Sequence, residues 1–172
     1  MDQVSKWFER KFDFSFPGEL YPNLCMRLRG TPARLEEMLH GRPAAALARR
    51  PEGSWSVQEH AGHLLDLEPL WLMRVGDFAE GSIELTATDL GNKKTHEANH
   101  NGRSMGAILS EFRAARLSLI QRLEGLEQAA FGRTALHPRL KQPLRLVDHL
   151  YFVAEHDDHH LARMWEMMGA RD

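Results

Sequence analysis

Residues 144–169 read LRLVDHLYFVAEHDDHHLARMWEMMG, and this stretch decides the architecture. Val147, Leu150, Tyr151, Ala154, Leu161 and Trp165 recur at helical spacing and form an apolar stripe. Gly169 supplies the stop. A helix from about Leu144 to Met168 follows. Inside it, Glu155-His156-Asp157-Asp158-His159-His160 packs three of the chain's ten histidines into five residues. At about 100° per residue, His149, Val153, His156, His160 and Met167 share a narrow sector, roughly 120° from the apolar stripe. His159 falls beside Asp148, Glu155 and Glu166 and is expected to face solvent. The triplet is therefore a pair. His156 and His160 lie one turn apart, roughly 6 Å along the axis. Two such neutral imidazoles can share a transition metal, but they make an incomplete site. The rest of the chain must supply a further ligand.

Three more amphipathic stretches lie upstream. Leu20, Leu24, Leu28, Leu35, Met38 and Leu39 run in phase across Pro32, which predicts one kinked helix over 19–40. Residues 56–79 carry Val57, Ala61, Leu64, Trp71, Val75 and Phe78. Ser56 and Glu59 form a capping-box pattern at their start. Residues 104–129 place Met105, Ile108, Leu109, Phe112, Leu119, Ile120, Leu123 and Leu126 on one face. Four long helices in one chain predict an all-α four-helix bundle, whose core can build metal sites from facing helices. The 172 residues are read as a single domain, 1–172. Residues 1–17, with Trp7, Phe8, Phe12, Phe14 and Phe16, read as an aromatic arm packed on the core or a partner subunit. Residues 81–103 read as a long connection, with a short helical piece carrying His96 and His100 and forming part of a site's rim. Gly132 to Pro143 reads as a turn region, with no period-2 alternation.

Composition removes several function classes. Apolar residues make up 42% and charged residues 27%, ordinary for a soluble globular protein. The net charge of −2 arises from mixed signs, with no basic block, so nucleic acid is not expected as a partner. No apolar run approaches a membrane span, and the charged N-terminus is not a secretory signal. One cysteine, Cys25, suits a reducing compartment, and a cytoplasmic location is expected. Cys25 has no base nearby in sequence and reads as a buried structural thiol.

The second helix offers His60 and His63 as further ligands, and periodicity alone does not choose between them. His60 lies closer to the apolar stripe. His63 lies on its flank beside Leu67 and Arg74, and a flank suits a cleft between helices. Glu68 falls on the apolar face and needs a partner there, for which Arg113, Arg116 and Arg145 are available. Asp157 and Asp158 read as structural acceptors, Tyr151 and Trp165 as core, and Trp55 as a staple on the second helix. Arg74 reads equally as a contact for an anionic substrate and as a solvated charge.

Two blocks resemble a known family. SWSVQEHAGHL at 54–64, with Asp66, Glu68, Trp71 and Arg74 downstream, and HPRLKQPLRLVDHLYFVAEHDDHHLARM at 137–164 are similar to the DinB-like (YfiT/DinB) proteins in order and spacing. The resemblance implies a four-helix bundle with a long crossover connection. It also implies a three-histidine metal site of His63, His156 and His160, and so favours His63 over His60. The implied cofactor is a divalent transition metal (zinc, nickel or iron). The implied activity is a thiol-dependent transfer, using a low-molecular-weight thiol, or a hydrolysis of a small-molecule substrate. No catalytic side chain beyond the ligands is assigned. The alternative is a non-catalytic metal-binding or stress-response interaction protein. A homodimer is expected because apolar bundle surfaces often pair.

Overall fold

The computed structural model describes residues 4–169. The first three residues of the aromatic arm and the last three of the chain lie outside them. Four long helices dominate: α1 (Tyr21–Leu39), α2 (Val57–Glu80), α3 (Met105–Glu124) and α4 (Leu146–Met167). Helix α1 packs on α3 and α4, and so does α2. Helices consecutive in sequence, α1 with α2 and α3 with α4, therefore sit across a diagonal. Their connections must cross the end of the bundle. The four-helix bundle read from the four stripes is the observed fold.

Local chemistry accounts for the boundaries. Ser56 Oγ accepts the N–H of Glu59 at 3.1 Å, and the Ser56 N–H donates to the Glu59 carboxylate at 2.9 Å. This is the capping box seen in the sequence, and Gly81 closes α2 in a left-handed conformation, φ 75°. Helix α1 runs unbroken through Pro32, in agreement with the phase of its leucines.

The region 132–143 differs from expectation. Thr134–His137 (β1) and Gln142–Arg145 (β2) form an antiparallel hairpin, with Ala135 opposite Leu144. Four-residue strands are too short for alternation to register, and Pro143 reads as a breaker. The hairpin takes Leu144 and Arg145, so α4 begins at Leu146. Helix α3 likewise ends at Glu124, short of the predicted 129. Trp165, read as core, is 41% exposed near the end of α4, and Tyr151 is half-buried.

The core forms two apolar clusters. One holds Leu28, Trp71, Leu119 and Leu150; the other holds Leu35, Leu64, Phe112 and Met164. A polar layer lies between them in every helix's sequence. Arg116 of α3 donates from Nη2 to Glu68 of α2 at 2.6 Å and from Nη1 to Asp157 of α4 at 2.6 Å. Nη1 also reaches the Leu28 carbonyl of α1 at 3.0 Å, and Thr31 Oγ donates to Asp157 at 2.8 Å. All four helices meet at this guanidinium. Burial pushes the Glu68 carboxyl up to about 7, against the pull of Arg116. The salt bridge anticipated for Glu68 thus involves Arg116, and Asp157 serves the same cation.

The arm folds back on its own chain. Trp7 and Phe12 pack on Phe152, while Arg10 pairs with Glu155 of α4. The connection between α2 and α3 contains a short helix, Lys93–Glu97, and a turn at His100–Gly102. The His100 ring lies directly over Gly62, where a Cβ would overlap it. Gln58 Nε2 donates to the carbonyls of His100 and Arg103 at 2.6 and 2.7 Å.

Two outcomes follow from this packing. Arg116→Met leaves two buried carboxylates without a cation and should lower stability by about 3–5 kcal/mol, read from urea denaturation; an unchanged midpoint would refute the role given to the layer. Gly62→Ala should displace His100 at a cost of about 1–3 kcal/mol. Hydrogen exchange should then quicken in 93–103 and stay unchanged in α1, and uniform exchange across both would refute the assignment.

Candidate metal centre

His63 projects from α2, and His156 and His160 project from α4. One ring nitrogen from each lies within 4.8 Å of the other two. The Nε2 atoms of His156 and His160 are 3.2 Å apart. Two nitrogens each about 2.1 Å from an ion would be separated by that distance at an angle of about 100°. All three side chains are buried. Burial pushes His63 down to about 3 and holds His156 and His160 well below the usual imidazole range. The rings are neutral at ordinary pH, the form that ligates.

Neighbouring groups set which nitrogen of His63 carries the proton. Thr95 Oγ donates to Asp66 Oδ2 at 2.9 Å, so its oxygen is left to accept. His63 Nδ1 lies 3.0 Å from that oxygen and donates to it, which leaves Nε2 with a bare lone pair. His160 Nδ1 faces His60 Nδ1 at 2.8 Å, one ring donating to the other. With the proton on His160 Nδ1, its Nε2 also bears a lone pair. His63 Nε2 and His160 Nε2 then present lone pairs in a dry place to His156 Nε2, which has at most one hydrogen to share between them, so at least one acceptor stays unanswered unless a cation joins them. The donor set fits a divalent transition metal, and three imidazoles leave coordination positions open.

His60 sits behind His160 as its hydrogen-bond partner, so both candidate histidines of α2 serve the cluster in different ways. His159 does not face solvent as expected. It is half-buried, with its ring 5.6 Å from Trp7, because the arm folds over that face of α4; burial pushes it down to about 4. His96 is exposed and touches Trp55 at the rim, whereas His100 is a buried strut bonded to Asp66 at 2.8 Å. His149 is buried below the cluster against Trp71 and Phe78. Arg74 is not a solvated charge: it is buried, and its Nε donates to the Thr86 carbonyl at 2.9 Å. The Cys25 thiol is pushed up to about 11, chiefly by burial, in keeping with an unreactive thiol.

The cluster lines a cavity of about 210 Å³. Trp7, Trp55, Trp71 and Phe152 supply its apolar wall, and Trp55 packs 4.8 Å from His63 rather than only stapling the loop. His137 and Arg139 of the hairpin, and Asp89 and Asn92 of the connection, line it too. Sequence reasoning missed Thr95, His137, Arg139 and the arm's Trp7 as site residues. Asp66 was visible in the resembling block, but its partner Thr95 lies in a loop with no periodic signal.

The family model described as the DinB superfamily matches residues 27–164. No curated protein matches the chain by sequence. Among solved structures, the chain is similar to YfiT from Bacillus subtilis, described as a probable metal-dependent hydrolase with an unusual four-helix bundle topology. The TM-score is 0.78 and the identity 22%, over 92% of this chain and 91% of that one. It is also similar to a mycothiol-dependent maleylpyruvate isomerase, with a TM-score of 0.66 and 11% identity. That match covers 85% of this chain and 60% of the isomerase. At these identities the likeness is one of fold. The family match spans most of the chain and includes all three histidines of the cluster, and on that ground the chain belongs to the DinB superfamily.

Proposed function

We propose that this protein is a metal-dependent enzyme that holds a divalent transition metal ion (zinc, nickel or iron) on His63, His156 and His160. It acts on a small molecule in the adjoining cavity, by thiol-dependent transfer or by hydrolysis. One observation carries the reading: neutral, buried imidazole nitrogens converge beside a cavity sized for a small molecule. A purely structural metal site would be closed over by a further side chain. When bound, such an ion acidifies a coordinated water or thiol and polarises an electrophile.

The protein's own groups define what surrounds that chemistry. Thr95 and Asp66 hold the His63 ring in the ligating tautomer, and His60 pairs with His160 through Nδ1, so that a proton on His160 Nδ1 leaves its Nε2 free to ligate. Trp7, Trp55 and Trp71 exclude water from the imidazoles and give an apolar surface for substrate. The relatives support both reaction types: one is described as a probable metal-dependent hydrolase, the other as a mycothiol-dependent isomerase.

Elemental analysis of protein grown with zinc, nickel and iron supplied should find one metal ion per chain. His156→Ala should lose it with the helical circular dichroism kept. Thr95→Val should weaken metal affinity by about 10–100-fold. Protein that stays metal-free under these conditions overturns the reading. Full metal occupancy without turnover, against both a thiol–electrophile panel and an ester–amide panel, would assign a non-catalytic metal-binding protein instead.

A further inference from the structure

The cavity has a second polar end, away from the histidine cluster, where hydrogen-bond donors outnumber acceptors. Arg74 is 1% exposed, and among the described residues its Nη2 has no hydrogen-bond partner; the Nε of Arg139 is likewise buried and unpartnered among them. Between them stands His137, also buried. His137 Nδ1 faces the backbone N–H groups of Arg139 and Leu140, each at 3.2 Å. His137 Nε2 faces Arg74 Nη1 at 3.2 Å. A neutral imidazole has one lone pair and one N–H. Whichever nitrogen holds the proton, a donor points at a donor on one side of the ring. Protonating the ring worsens this, and burial, with Arg74 and Arg139 nearby, holds His137 down to about 3.

Among the described residues, no carboxylate lining the cavity pairs with these cations. Asp77 is near enough to favour the charged form of Arg74, but its Oδ2 accepts the Thr86 N–H at 2.7 Å, and it does not line the cavity. Asp89 lines the cavity, but its oxygens accept the N–H groups of Gly91 and Lys93 at 2.8 and 2.7 Å. Arg139 is held instead over aromatic faces, 5.2 Å from Trp7 and 5.2 Å from Phe152. Buried donors without acceptors are costly, and they persist where a ligand supplies the acceptor.

We propose that Arg74, Arg139 and His137 form a subsite for an oxyanion, so that the substrate carries a carboxylate or phosphate on a short apolar body. This rests on the cavity being the substrate site, as read above. The span is set by the walls. The Trp7 ring centre lies 5.1 Å from that of His156 and 5.2 Å from the guanidinium carbon of Arg139, and the Trp71 ring centre lies 5.8 Å from that of His156 and 5.5 Å from the guanidinium carbon of Arg74. One indole therefore bridges the anion end and the histidine end, and the substrate body is about one ring long. An oxyanion accepts from Arg74 Nη2, from Arg139 Nε and from the His137 N–H, which removes the donor conflict.

Calorimetric titration of the full chain with 3-phenylpropionate, 2-phenylethyl phosphate and neutral 3-phenylpropanamide tests this, in metal-loaded and metal-stripped protein. At least one acid should bind tenfold or more tightly than the amide in both forms, and the tighter acid identifies the headgroup. Arg139→Gln and Arg74→Gln should each weaken that acid tenfold or more, with amide binding and metal content unchanged. Arg139 is only half-buried, so its variant carries the test if Arg74→Gln fails to fold. Equal binding of acid and amide, or an acid affinity indifferent to Arg139→Gln, overturns the subsite. So does loss of acid binding on metal removal, since the acid would then be a metal ligand. A chain that takes up no metal yet binds the acid through its arginines would keep this subsite and overturn the metal reading alone.

Discussion

The guanidinium of Arg116 is the point on which the bundle's register depends. It is wholly buried, and it receives Glu68 from α2, Asp157 from α4 and a carbonyl from α1. Apolar side chains tolerate small slides along a helix interface; a charge in a dry interior does not, because any slide leaves an ion unpaired. His156 adjoins Asp157, and His63 lies somewhat more than one turn before Glu68. Fixing the two carboxylates against one arginine therefore fixes the height of α2 relative to α4 at the histidines. The three imidazoles meet because a neighbouring ion network leaves the helices no other alignment.

Around the imidazoles the same logic works on a smaller scale. Each constraint is a choice of who donates. Asp66 accepts the hydrogen bond of the Thr95 hydroxyl, so Thr95 accepts from His63, and the outward nitrogen of His63 stays free of hydrogen. Asp66 also anchors His100, which rests on Gly62. One carboxylate thus links the electronic state of a ring to the position of a loop. A disturbance of the loop would reach the cluster through Thr95.

Much of this was legible in the sequence, for identifiable reasons. Long helices announce themselves by repeated apolar spacing, and Ser56 with Glu59 marks a start that the structure reproduces. His156 and His160 could be paired because their geometry is internal to one helix. The face of His159 was misjudged because a helix carries no record of what non-local chain will cover it, and here residues 4–17 do. The hairpin was hidden by strands of four residues and by Pro143. His137 and Arg139 were hidden with it, since a turn-rich stretch gives no direction to its side chains. The choice between His60 and His63 rested on resemblance, and the structure gives both a place at the cluster, one against Thr95 and one behind His160.

The segment matched to the superfamily begins at residue 27, yet Trp7 and Phe8 form part of the cavity wall. Part of the wall beside the histidines thus comes from a stretch of chain outside the helices that carry them. The arm holds to α4 through ring contacts and the Arg10–Glu155 pair, not through a shared helix or sheet. Two proteins alike in the bundle but different at Trp7 and Phe8 could present differently shaped chambers to their ligands, and selectivity would then be set by a stretch of chain that carries none of the three histidines.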